Sequence, residues 1–131
     1  MKTLETVLIV EDDPIAAMIV GKKVNAHPRI RQSRTCANGE LALSDLKAAL
    51  EDGNALPDLI LLDINMPVMD GWQFLAALAA LPKPREVPVV MLTSSIDSED
   101  MARARTFPAV RGFFSKPLSA PMLDQVLALV E

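Results

Sequence analysis

Four short apolar runs in this chain are each followed at once by residues that handle charge. Glu11, Asp12 and Asp13 follow Val7–Val10, and Asp63 and then Asn65 follow Leu59–Leu62. Thr93, Ser94 and Ser95 follow Val87–Leu92, and Lys116, with Pro117 behind it, follows Gly112–Ser115. Two carboxylates about 4 Å apart repel by about 4 kcal/mol at an effective dielectric of ~20. Gathering Glu11, Asp12 and Asp63 without a cation would therefore force proton uptake. Oxygen donors with no His or Cys beside them point to a hard cation, and few carboxylates with room for water favour Mg²⁺ over Ca²⁺. Lys116 adds a second positive charge. Metal, ammonium and hydroxyl together would neutralise a bound phosphoryl group, and a carboxylate so placed can be the nucleophile that forms an acyl phosphate.

Singly, each feature is more often structural than functional. An acid triplet after a strand serves as a solvated turn or as negative charge at a helix N-terminus. A lone Asp or a Thr-Ser-Ser run serves as a helix cap. Their joint placement, each at the end of an apolar run, favours the chemical reading.

The elements that must position these residues read as strand and helix in alternation. The apolar runs Val7–Val10, Leu59–Leu62 and Val87–Leu92 lack polar alternation, as strands buried on both faces do. Ile30–Cys36 is more polar and reads as an edge strand, and Gly112–Ser115 is the fifth. Between them lie helical segments. Pro14 opens the first, with Ile15, Met18 and Ile19 at helical spacing. Gly39–Leu50 carries Leu43, Leu46 and Leu50, and Gly71–Leu81 carries Phe74, Leu75, Leu78 and Leu81. Ser98–Thr106 is shorter, and Ala120–Val130 carries Met122, Val126 and Leu129. Turns are expected at Asp52–Asn54 and Pro82–Pro84. Strand and helix five times over predict an α/β doubly wound five-stranded parallel sheet with five helices. In such a sheet the binding crevice lies beyond the carboxyl ends of the strands, where the charged residues sit.

Composition agrees with one domain, 1–131. The 131 residues are half hydrophobic and 23% charged, enough for a packed core without staples. One cysteine, Cys36, excludes an internal disulfide framework and fits a reducing compartment. A net charge of −4 with no basic patch disfavours direct nucleic-acid binding. No apolar stretch approaches the ~20 residues of a membrane span, and the acidic start is wrong for a signal peptide. A soluble, cytoplasmic protein without a membrane partner is expected, with no room for an output domain after the last helix.

The segments VLIVEDDP, LILLDINMPVMDGW, VVMLTSS and GFFSKPL identify the chain as resembling the receiver domain of bacterial two-component response regulators, over nearly its whole length. The resemblance implies the strand order 2-1-3-4-5 of a flavodoxin-like fold. It implies that Asp63 is the phosphoacceptor. Asp12 and Asp63 would bind Mg²⁺ directly, Glu11 through water and Asn65 through its backbone carbonyl. Thr93 is then the switch hydroxyl, and Lys116 the phosphate-binding lysine, with a cis bond to Pro117. Asp13 is an extra acid that either joins the metal through water or caps the first helix, the cap being the preferred reading. Phe113, three residues before Lys116, takes the switch aromatic position without a tyrosine hydroxyl, so its signal must be steric. Ser94 replaces a common alanine, keeping access to the phosphate narrow. The Glu51–Pro57 loop is longer than expected.

Other residues carry less. His27 is expected to be exposed, Cys36 to fill a small core position, and Met66, Met69 and Trp72 to pack. The expected function is acceptance of a phosphoryl group from a sensor histidine kinase or histidine phosphotransfer protein. It would then switch the fourth-helix, fifth-strand and fifth-helix face toward an unknown protein target. This is signalling with self-modifying chemistry rather than turnover of a metabolite. A haloacid-dehalogenase-type phosphatase is the enzyme rival, but the chain has Asp63, Asn65 and Pro67 where that site needs Asp-x-Asp-x-Thr. The other rival is a receiver-like protein-binding module that works without phosphorylation.

Overall fold

The structure, a computed structural model, describes residues 3–66, 68–83, 85–94 and 97–130. Ser95, Pro67 and Pro84 fall outside the described residues. Five strands, β1 (Leu4–Val10), β2 (Ile30–Cys36), β3 (Leu59–Asp63), β4 (Val89–Thr93) and β5 (Val110–Ser115), form one sheet. They alternate with α1 (Pro14–Ala26), α2 (Gly39–Asp52), α3 (Gly71–Ala80), α4 (Ser98–Ala104) and α5 (Ala120–Leu129). The sheet order is β2-β1-β3-β4-β5 and the pairings are parallel, so the polar β2 is an edge strand.

Side-chain alternation along the central strands divides the interior in two. Leu8, Val10, Ile60, Leu62, Val89 and Met91 face a core completed by Leu43 and Leu46 of α2 and by Phe74, Leu75 and Leu78 of α3. Val7, Ile9, Leu59, Leu61, Val90 and Leu92 face the other, closed by Val20 and Val24 of α1 and Leu123, Val126 and Leu127 of α5. Runs such as LILL are continuous because both faces of the strand must be covered.

Two helices turn differently from their expected phase. In α1 the buried residues are Ala17, Val20 and Val24, whereas Ile15, Met18 and Ile19 are 66%, 55% and 45% exposed. Apolar residues occupy more than one side of this helix, so period alone does not fix which side meets the sheet. In α5 the sheet-facing residues are Leu123, Val126 and Leu127; Met122 is partly covered and Leu129 is exposed. Helix α2 also runs two residues beyond Leu50, to Asp52, and stops where Gly53 adopts φ 71°. Glycine takes that left-handed conformation without the steric cost of a Cβ. The connection to β3 is correspondingly shorter than expected from Glu51.

His27 is not exposed. Its side chain is only 12% accessible, and its Nε2 lies 2.8 Å from Asp124 Oδ1 of α5. Its Nδ1 accepts from the Arg29 amide at 3.1 Å. The histidine ties the end of α1 to α5. Met66 and Trp72 are buried, and Met69 and Cys36 pack partly covered against the same core. No described helix is long and apolar enough to cross a membrane.

Candidate functional site

The charged residues converge at the carboxyl edge of the sheet because each ends or follows one of its parallel strands. Asp63 is the last residue of β3 and is paired in register with Leu92. Thr93 is the last residue of β4 and is paired with Ser115. Glu11 continues from β1, its amide donating to Cys36 O at 3.0 Å, and the Lys116 amide donates to Thr93 O at 2.7 Å. Glu11, Asp63 and Thr93 are buried. Asp12, Asn65 and Ser94 are exposed at the mouth.

One carboxylate oxygen each from Glu11, Asp12 and Asp63 lie within 4.8 Å of one another. Three oxygen donors in that space fit a small hard cation, and their mutual repulsion supplies a reason to bind one. The Lys116 ammonium donates to Glu11 Oε1 and stands 3.6 Å from Asp63 Oδ2. Burial lowers the Lys116 pKa, but the Glu11 hydrogen bond and the Asp63 and Glu11 charges outweigh it and hold it above the ordinary lysine value. The Asp12 pKa is raised, first by lost hydration and then by the hydrogen bond and charge of Glu11. The acid crowding is thus shared unequally: Glu11 is paired with an ammonium, and Asp12 is left toward solvent.

Asp13 caps α1. Its Oδ1 accepts from the amides of Ile15 at 2.9 Å and Ala16 at 3.5 Å, which satisfies donors at the helix start. The Lys116–Pro117 bond is cis, as the resemblance implied. Phe113 and Phe114 face opposite sides of β5, Phe113 against the α2–α3 core and Phe114 against the α1–α5 core.

A residue that function-directed reading passed over is Gly71. A Cβ there would lie 2.8 Å from Asp63 O and 2.9 Å from Ile64 Cα. Its amide donates to Ile64 O at 2.8 Å, closing the loop after Asp63 onto the start of α3. The Asp-Gly step at Asp70–Gly71 was the available signal. It begins a helix there: Asp70 caps α3, and Gln73 completes the reciprocal capping pair.

The model of the response regulator receiver domain family matches residues 7–128. The chain belongs to that family. Among solved structures, this receiver is similar to a two-component response regulator from Cytophaga hutchinsonii, with 27% identity, TM-score 0.87 and 98% of each chain covered. It is also similar to the Vibrio cholerae chemotaxis protein CheY4, with 27% identity, TM-score 0.81, and 98% of this chain and 100% of that one covered. Among curated proteins it is 31% identical to the probable methanogenesis regulatory protein FilR2 of Methanothrix harundinacea, over 86% of this chain and 72% of that protein. It is 35% identical to the transcriptional regulatory protein CitT of Halalkalibacterium halodurans, over 97% of this chain but 52% of that one. A Geobacillus kaustophilus protein-glutamate methylesterase/protein-glutamine glutaminase is 35% identical over 95% of this chain, of which the receiver spans 33%. The matched segment is therefore about a third to a half of those two longer relatives.

Proposed function

We propose that this receiver takes a phosphoryl group from the phosphohistidine of a sensor histidine kinase or histidine phosphotransfer protein onto Asp63. The observation that carries the proposal is Asp63 Oδ2, buried at a strand end, 3.6 Å from the Lys116 ammonium and grouped with Glu11 and Asp12. An Asp63 oxygen attacks phosphorus, the phosphorus–nitrogen bond breaks, and the imidazole leaves with the bonding pair. Lys116 exchanges its pairing with Glu11 for an incoming phosphoryl oxygen, and Thr93 donates its hydroxyl to another. Asp12 and Asp63 directly, Glu11 through water and Asn65 through its carbonyl would hold Mg²⁺. When bound, that ion offsets charge on the transferring oxygens.

The new charge then biases the face formed by α4, β5 and α5 through Thr93 and Phe113, toward a protein target. Water attack on the acyl phosphate would return the resting state slowly. The site lies in a family of signalling modules, and its chemistry is self-modification in the cytoplasm.

Labelling with acetyl phosphate and Mg²⁺, followed by intact mass, tests the reading. Wild type should gain one hydroxylamine-sensitive phosphoryl group and Asp63→Asn none. Equal labelling of the two overturns the assignment, and no labelling of wild type by acetyl phosphate or a panel of histidine kinases favours the binding-module rival.

A further inference from the structure

Helix α4 is lightly anchored. Of its seven residues, Ser98–Ala104, only Ala104 is buried. It packs against β5, and two side chains also join it to α3. The Arg103 guanidinium lies 4.5 Å from the centroid of the Trp72 ring. Phe107, just beyond the helix, stacks on the same indole with centroids 6.4 Å apart and planes 25° apart. Trp72 is itself 8% exposed and packed in the α2–α3 core, immediately after the Gly71 that closes the loop from Asp63. Arg103 forms no ion pair among the described residues.

We propose that Trp72 is a positioning residue that clamps α4 in its resting place through Arg103 and Phe107, so that phosphorylation of Asp63 rearranges α4 against this clamp. The inference rests on the phosphoacceptor reading above and adds the contact that sets the resting side of its equilibrium. A segment with one buried side chain opens at low free-energy cost, so a small contact can decide its position. A cation over an aromatic ring at a partly exposed site shifts an equilibrium by about two- to five-fold. Weakening it in the resting state favours the switched state. By linkage it raises affinity for whatever that state binds, here the phosphoryl group.

Arg103→Met tests the clamp, since Arg103 is exposed and methionine keeps an apolar stem while deleting the charge. Two quantities are read: amide exchange across residues 98–107 in the resting protein, and the concentration of beryllofluoride, with Mg²⁺, that half-saturates the change in Trp72 fluorescence. The variant should exchange about two- to five-fold faster across 98–107, with β1, β3 and β4 unchanged, and bind beryllofluoride tighter by a similar factor. Arg103→Lys, which keeps a cation without the planar guanidinium, should lie between wild type and Arg103→Met. If wild type responds to beryllofluoride but Arg103→Met leaves either quantity unchanged, the clamp is overturned and the receiver reading stands. Exchange raised through the whole domain also overturns it, because that reports global stability. A wild type that fails to respond overturns the receiver reading and this inference with it.

Discussion

Lys116 is hydrogen-bonded to Glu11, not to Asp63: its ammonium donates to Glu11 Oε1, while Asp63 Oδ2 lies 3.6 Å away, within ion-pair but beyond hydrogen-bond reach. The Asp63 carboxylate thereby lacks the Lys116 hydrogen bond that Glu11 receives. A phosphoryl group at Asp63 brings charge-assisted acceptor oxygens toward that ammonium, and the Glu11 bond is the one Lys116 would give up.

Removing that charge should separate switching from folding. Lys116→Met is expected to remain folded and to bind Mg²⁺, because Lys116 is partly exposed and belongs to neither buried cluster. Beryllofluoride should alter amide exchange across Ser98–Ala104 in wild type and fail to do so in this variant. An identical protection change in both proteins would remove Lys116 from the switch.

Asp12 and Asp13 are neighbours with different expected phenotypes. Asp12→Asn should weaken Mg²⁺ binding by about tenfold or more, measured by calorimetry, because it loses one of three gathered carboxylates. Asp13→Ala should change Mg²⁺ affinity far less but cost about 1 kcal/mol in urea unfolding, as a lost N-cap does. Equal Mg²⁺ losses would contradict the division of roles.

The two raised pKa values set opposite ends of a pH profile. Folding raises Asp12 above 3.8, so the folded protein holds that proton more tightly than the unfolded chain does. Its contribution favours folding below the unfolded value and is lost as pH rises through the folded one. Mg²⁺ requires the deprotonated form, so affinity should fall on acidification while pH is still above 3.8. Lys116, raised above 10.5, should stabilise the fold below that value and lose its contribution as pH climbs through the folded pKa. Comparing wild type with Lys116→Met by thermal unfolding from pH 8 upward checks the second limb. Their difference should be level and then shrink in alkali, and a difference that grows there would reverse the sign.

Gly71→Ala should damage the site without touching a charge. The added Cβ would meet two backbone groups, Asp63 O at 2.8 Å and Ile64 Cα at 2.9 Å, and neither can rotate away as a side chain does. Overpacking of this kind costs roughly 1–3 kcal/mol. Urea unfolding should show that loss, and acetyl phosphate labelling of Asp63 should slow. Wild-type stability together with a wild-type labelling rate would show that the loop can yield.

The strands, and the charged residues placed at their ends, are legible in the amino-acid order alone. LILL and VVML must be covered on both faces, so they read as buried strands of a parallel sheet, and the residues at their carboxyl ends are read in the same step, whereas the strand order comes from the family resemblance. Asp13 as a cap, Cys36 as a packed residue and the opposed Phe113 and Phe114 are legible for similar local reasons. The phase of α1 is not, since Ala17, Val20 and Val24 meet the sheet while Ile15, Met18 and Ile19 remain outside. Packing in three dimensions also covers His27 against Asp124, pairs Lys116 with Glu11 and settles Arg103 over Trp72. These contacts join residues far apart in the chain. Hydrophobic period reports that a helix has an apolar side, but with apolar residues on several sides the choice among them falls to packing against strands brought in from elsewhere.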